Sequence, residues 1–274
     1  MKIQNKNILI TGGGSGIGKL MAIEASKKGA HTVIIWDVNR ENLKKLNEDW
    51  QNNPNLQKTK LIIEFCDVRN NNQIYQLAKK TLKEVGNVDI LINNAGIVSG
   101  KSLLELSDEE IIKTFEINVL AYFWTTKAFL PHMIKNQSGF ICNIISASAL
   151  VGVYKLTDYA SSKSAVFGFD ESLRMEIQRN GWPVKNLAVC PFYINTGMFE
   201  GVKTRFPWLL PILDPEKVAK KILQSIEKDK RRLYMPWIIY LIPLGRLFPI
   251  RIFDWMMNFL GVNHTMDDFK GRKN

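Results

Sequence analysis

Tyr159 and Lys163 stand four positions apart in a stretch with helical spacing, so they share one helix face. An ammonium beside a phenol favours the phenolate and lowers the tyrosine pKa. A tyrosine tuned in that way exchanges a proton with an alcohol near neutral pH. Tyr-x-x-x-Lys is a common chance pattern, so the pair needs company. Ser146 follows an apolar run and precedes Tyr159 by 13 positions. Its hydroxyl could hold a substrate oxygen beside the phenol, and Ser148 is a rival with the same group. Asn118 falls inside a long helical segment, where asparagine is intrinsically poor. It is either a tolerated polar residue or the mark of a kinked backbone that organises a water next to Lys163.

A second set of residues suits a dinucleotide. An apolar run, Asn7–Thr11, leads into Gly12-Gly13-Gly14-Ser15-Gly16-Ile17-Gly18. Glycines permit the sharp turn and a close backbone approach. The helix that follows presents free N–H groups and a positive dipole end to a pyrophosphate. The frame G-x-G-x-x-G does not fit, because its last position is Ile17; the frame T-G-x-x-x-G-x-G does. Asp37 ends the next apolar run, 21 positions after Gly16. A carboxylate there accepts hydrogen bonds from ribose hydroxyls and repels a 2′-phosphate; the plain alternative is an Asp that opens a turn. Arg40 is close enough to complicate that preference for NAD. Asp67 and Val68, after a third run, could edge the adenine. Asn94, Ala95 and Gly96, after a fourth, let a loop lie flat against a cofactor.

These residues sit on a regular frame. Strand-like runs at Asn7–Thr11, Thr32–Trp36, Lys60–Phe65, Val88–Ile92, Phe140–Ile145 and Val184–Val189 alternate with helical stretches. The longest helical patterns cover Asp108–Lys135 and Asp158–Arg179. Alternation of this kind predicts right-handed crossovers and an α/β fold: a Rossmann-like, doubly wound parallel sheet of about seven strands with helices on both faces. Ligands then bind beyond the carboxyl ends of the strands, where the residues above lie.

At 274 residues the chain can bury one large core without disulfides. Residues 1–230 are expected to form a dinucleotide-binding and catalytic domain, and residues 231–274 an apolar, basic extension. Three cysteines without C-x-x-C spacing read as buried thiols, and three scattered histidines offer no metal site. The net charge of +11 is carried largely by lysines on helical faces, with no aromatic–basic interleaving, so no nucleic-acid partner is expected. The opening residues lead straight into a strand, without the look of a signal peptide or anchor. The expected location is cytoplasmic.

Together the motifs resemble the short-chain dehydrogenase/reductase family over roughly residues 5–200. The resemblance implies a nicotinamide cofactor, with NAD favoured over NADP. It implies Tyr159 as acid/base, Lys163 also holding the nicotinamide ribose, Ser146 positioning the substrate oxygen, and Asn118 maintaining a proton-relay water. After the sixth run, Pro191, Ile194 and Thr196 match cofactor-contacting positions, but Phe192 stands where the family often has glycine. Stretches 115–131 and 190–197 look like the retinol and 17β-hydroxysteroid dehydrogenases, which act on lipophilic alcohols. Helices around Asn118 and Tyr159 commonly form subunit contacts in such proteins, so a homodimer or homotetramer is implied.

An apolar lid is expected at about 196–214, with Met198, Phe199, Phe206, Trp208, Leu209, Leu210 and Ile212. In the stretch Leu233–Val262 only 13 residues, Leu233 to Gly245, pass without a charge, and prolines break the run, so it is too short to cross a bilayer. It could lie in a membrane interface, with Trp237 and Trp255 at headgroup level and Arg246 and Arg251 on the polar side. It could equally fold over the substrate pocket or pack between subunits. The leading expectation is an oxidoreductase that moves a hydride between a nicotinamide cofactor and a lipophilic alcohol or ketone. Its rivals are an NADPH-dependent 3-oxoacyl-thioester reductase and, in another class, a non-catalytic dinucleotide sensor or membrane-surface protein.

Overall fold

The computed structural model describes residues 1–271, so the last three residues of the expected extension lie outside the described residues. Seven strands form one sheet: β1 Asn7–Thr11, β2 Thr32–Asp37, β3 Lys60–Phe65, β4 Ile90–Asn93, β5 Gly139–Ile144, β6 Val184–Pro191 and β7 Arg232–Met235. Their order is β3-β2-β1-β4-β5-β6-β7, and every pairing is parallel. The order reverses between β1 and β4, which opens a crevice at the carboxyl ends of both. Because helices cover both faces, β1, β2, β4, β5 and β6 read as continuous apolar runs rather than alternating ones.

Helices α1 Gly16–Lys27, α2 Arg40–Gln51 and α3 Asn71–Val85 follow the first three strands. The side chains of Asn39 and Asn70 cap α2 and α3 by accepting from Asn42 N–H and Gln73 N–H. The long helical stretch expected at Asp108–Lys135 divides into α4 Asp108–Phe115, a π turn over Glu116–Leu120, and α5 Ala121–Lys135. The π turn interrupts the helix at Asn118. Helix α6, Thr157–Arg179, carries Tyr159 and Lys163, and α7, Pro215–Glu227, packs beside α1.

A buried polar ladder ties the centre together. Asn93 on β4 donates to Asn143 on β5 at 2.9 Å, and Asn143 donates to Asp170 on α6 at 2.7 Å. Burial pushes the Asp170 carboxyl up to about 6.

The boundary expected after residue 230 meets the last strand of the sheet. Leu233 and Met235 of β7 are buried in the main core, because the uncovered edge of β6 takes a further apolar strand. Beyond it run a 3₁₀ turn at Trp237–Leu241, the short α8 Ile242–Gly245, α9 Ile250–Phe259 and a 3₁₀ turn at Val262–His264. Ile239, Phe253, Met257 and Val262 pack against Leu150, Val151 and Val166. One side of the extension thus folds over the pocket, one of the three placements expected for it. Among the described residues no helix is long and apolar enough to cross a membrane.

Candidate active site

The turn after β1 is built by close backbone contacts. A Cβ at Gly12, where φ is +64°, would stand 2.9 Å from the Ala95 Cα. Asn94 bridges the two loops by donating to the carbonyls of Thr11 and Gly12 at 3.0 Å each. Thr11 Oγ1 accepts from the N–H groups of Asn94 and Ala95. The N-terminus of α1 has no side-chain cap and no acidic residue in its first turn, so its dipole end is left for an anion.

Asp37 Oδ2 accepts from Gly14 N–H at 2.8 Å and Oδ1 from Asn39 N–H at 2.9 Å. The carboxylate therefore holds the glycine turn as well as bordering the cavity. The Arg40 guanidinium lies 3.9 Å from the centre of the Phe65 ring, a stacked position that occupies its flat face. Asp67 lies two residues beyond β3. Arg69 chelates both of its oxygens and holds its pKa below the ordinary range.

Every sequence-derived cofactor position lines one cavity of about 420 Å³: Gly12, Ser15, Gly16, Ile17, Gly18, Asp37, Asp67, Val68, Asn94, Ala95, Gly96, Pro191, Ile194 and Thr196. Ser146, Tyr159 and Lys163 line the same cavity. Trp36, Asn39, Asn42 and Cys66 also face it and were not singled out in sequence. A glycine cradle at an uncapped helix end, with a carboxylate at its rim, fits a dinucleotide.

Ser146 is an acceptor for both the N–H and the hydroxyl of Ser148, at 3.2 and 3.0 Å, and it lines the same cavity as the Tyr159 phenol. The rival Ser148 thus orients Ser146 within the same cavity. Asn118 is not in the wall. It is fully buried, donates to the Ile97 carbonyl and to Ser162 Oγ at 3.0 Å each, and accepts from Ile97 N–H at 2.9 Å. Its amide fastens the loop after β4 to α6, with Oδ1 beside Gly96 near the Lys163 ammonium.

Lys163, expected to act on Tyr159 by proximity, makes its hydrogen bonds elsewhere. Lys163 Nζ donates to the Ile144 carbonyl at 3.0 Å and to Tyr122 OH at 3.4 Å. Burial pushes Tyr159 well up, and only the Ser146 hydrogen bond draws it back. Burial likewise pushes Lys163 down to about 7. Desolvation outweighs proximity because both groups lie in a dry wall. Sequence reasoning missed Tyr122; its position four residues after Asn118, on the same helical face, was the available signal.

The far end of the cavity is apolar. Met198, Phe199 and Leu210 come from the expected lid, and Ile238, Ile239 and Met257 from the extension. Phe199 stands edge-on to Tyr159, with ring centres 5.8 Å apart. Trp208 and Ile212 of the lid point outward instead. Phe192, the departure from glycine, lines the cavity with its ring 4.6 Å from that of Tyr193. Among the described residues no cluster of His, Cys, Asp or Glu could hold a metal.

Residues 6–205 match the short chain dehydrogenase family. The chain is 42% identical to epidermal retinol dehydrogenase 2 of Mus musculus, over 97% of this chain and 85% of that one. It is 39% identical to estradiol 17-beta-dehydrogenase 11 of Homo sapiens, over 89% and 79%. A short chain dehydrogenase/reductase from Burkholderia phymatum, solved in complex with NAD, superposes with a TM-score of 0.80 at 24% identity, covering 90% of this chain and 95% of that one. That last likeness concerns the fold.

Proposed function

This chain belongs to the short-chain dehydrogenase family and is a nicotinamide-dependent oxidoreductase, and on that premise we propose that it oxidises a lipophilic alcohol, or reduces the matching ketone or aldehyde, with NAD as its preferred cofactor. One observation carries the reading. The glycine turn, Ser146, Tyr159 and Lys163 share one cavity with an apolar far end. Relatives named for retinol and estradiol point to the same class of substrate.

The turn at Gly12–Gly18 and the end of α1 would hold the pyrophosphate, and Asp37 the adenosine ribose. Asn94, Ala95, Gly96, Pro191, Ile194 and Thr196 would border the nicotinamide half. Bound there, the nicotinamide carries the hydride. Ser146 would accept or donate a hydrogen bond at the substrate oxygen. The Tyr159 hydroxyl would move the proton at that oxygen, with Ser146 in the same cavity wall. Lys163 supplies a positive charge beside the site when protonated, and Asn118 acts as a positioning residue for the loop and helix that flank it. The aromatic and aliphatic far wall excludes water and receives the body of the substrate.

The chain is read as a single catalytic domain carrying an apolar extension. That extension supports a peripheral membrane contact. Leu247 (82%), Trp208 (79%), Ile250 (73%), Trp237 (65%) and Trp255 (64%) are strongly exposed. Trp255, Phe259, Phe206 and Trp208 form a linked aromatic run, with centres 5.8, 5.8 and 6.3 Å apart. The Arg205 guanidinium lies over Phe206 and Phe259. Aromatic side chains beside arginine suit the headgroup layer of an anionic bilayer. Exposed apolar side chains on α5 and α6, with Phe123 and Phe169 paired at 4.4 Å, support a homodimer or homotetramer.

The test is an assay of NADH and NADPH formation from retinol and estradiol, with wild type and Tyr159→Phe side by side. Turnover by wild type that the variant loses supports the reading. Cofactor binding without turnover of any alcohol or ketone would favour a dinucleotide sensor.

A further inference from the structure

The cavity is fastened shut on its Tyr159 side. Tyr193 OH and Thr265 Oγ1 are 2.8 Å apart, Lys203 pairs with Asp268 at 2.6 Å, and Lys270 N–H donates to the Glu200 carbonyl at 2.9 Å. The Phe269 ring fills the space against Gly100, where a Cβ has no room. Phe199 is held between Tyr193 and Phe269, with ring centres 5.0 and 6.4 Å away. A bulky substrate passing here would have to break several independent contacts at once.

The other side differs. A groove runs along the extension, with Phe248, Ile250 and Phe253 on its apolar part and Arg246, Asp254, Asn258 and Asn263 on its polar part, and it shares Val151 and Met257 with the wall of the catalytic cavity. Those two side chains are the partition between groove and cavity. Neither can make a strong hydrogen bond, and methionine is unbranched and repacks readily. The rim carries Phe248 and Ile250 from the exposed apolar segment, with Arg246 and Asn258 beside them. An apolar molecule bearing one hydroxyl fits that mixture.

We propose that this groove is the doorway for the substrate: a lipophilic alcohol leaves the lipid surface there and reaches Tyr159 past Val151 and Met257. The proposal rests on the lipophilic-alcohol reading above. A doorway sets how fast a ligand passes in either direction, not how tightly it is held. Narrowing it slows association and dissociation together and leaves their ratio, the Kd, in place. A residue in the wall of the binding site shifts Kd, mainly through dissociation.

Gly152 separates the two. It lines the groove but not the catalytic cavity, and a Cβ there meets nothing within 4 Å. The backbone at Gly152 has open space for a side chain, so Gly152→Phe sets a ring at the groove, and Gly152→Ala is its control. The experiment uses the full chain with retinol supplied from phosphatidylcholine vesicles, following retinol fluorescence in stopped flow, with NADH affinity measured alongside. For Gly152→Phe both rates fall about tenfold while Kd stays within about twofold, and NADH affinity is unchanged. Met257→Ala widens the partition and raises the association rate, and because Met257 also lines the cavity its Kd shifts as well. Unchanged rates in Gly152→Phe with normal NADH affinity, or a weakened Kd with an unchanged association rate, would overturn the doorway alone. Wild type that binds NADH but neither retinol nor estradiol would overturn the substrate reading and the doorway with it.

Discussion

The Lys163 ammonium donates to the Ile144 carbonyl at 3.0 Å, at the end of the strand that leads into Ser146. The lysine is thus tied to the sheet, and its ring-centre distance to Tyr159 is 5.7 Å. The Tyr159 ring packs instead against Phe199, with ring centres 5.8 Å apart. The proton-moving group and the nearby charge are thus held by separate contacts, one aromatic and one on the strand.

Tyr159→Phe removes the hydroxyl and keeps the ring packed against Phe199. Turnover of retinol or estradiol is expected to fall by about 10² to 10⁴, with NADH affinity and thermal stability close to wild type. A variant with near-normal turnover would remove Tyr159 from the chemistry.

Asp37→Ala tests the cofactor preference. Its carboxylate accepts from Gly14 N–H at 2.8 Å, so the substitution loosens the glycine turn as well as removing the ribose partner. Fluorescence titration should show NADH binding weakened about tenfold or more and NADPH weakened less. Tighter NADPH than NADH binding in wild type would reverse the preference.

Two buried groups predict an unusual pH profile. Lys163 is pushed down to about 7 from an ordinary 10.5, so the stability it contributes is present above that ordinary value and is lost as pH falls towards 7. Asp170 is pushed up to about 6 from 3.8, so its contribution is present at low pH and is lost as pH rises through 6. Between the two, both charges carry their burial cost, on the order of a few kcal/mol each. Thermal melts across pH should show Lys163→Met flattening the rise above neutrality and Asp170→Asn flattening the rise below pH 6. Parallel profiles for all three proteins would contradict the assignment.

Replacing Trp237, Leu247, Ile250 and Trp255 together by Ser removes exposed apolar surface and little packing. Pelleting with vesicles of phosphatidylcholine and phosphatidylserine should drop about tenfold or more, while the melting temperature changes little. Equal pelleting of variant and wild type would dismiss the membrane contact.

Much of the frame was legible before any coordinates. The βα junctions are marked locally: β-branched runs form strands, helical spacing follows them, and glycines turn the chain after β1. Order along the chain then places Gly12–Gly18, Asp37 and Asn94–Gly96 at the same end of the sheet, because parallel strands bring their carboxyl ends together. Tyr159 and Lys163 share a face by helical spacing alone.

Spacing could not say what each group faces. Whether proximity or desolvation governs Tyr159 and Lys163 depends on the walls around them, and those come from β5, α5 and the extension, far apart in sequence. The Asn118 amide pairs with Ile97 and Ser162, a contact that only the packed loop creates. The apolar stretch beyond residue 231 had three placements open to it, since hydrophobic composition says a surface will be covered and not by what. Packing divided it: Leu233 and Met235 went into the sheet and Met257 into the wall of the cavity, while Trp237 and Trp255 stayed exposed. Local patterns determined the elements and the end of the sheet where chemistry gathers; contacts between distant segments decided the charge states, the pocket wall and the surface left bare.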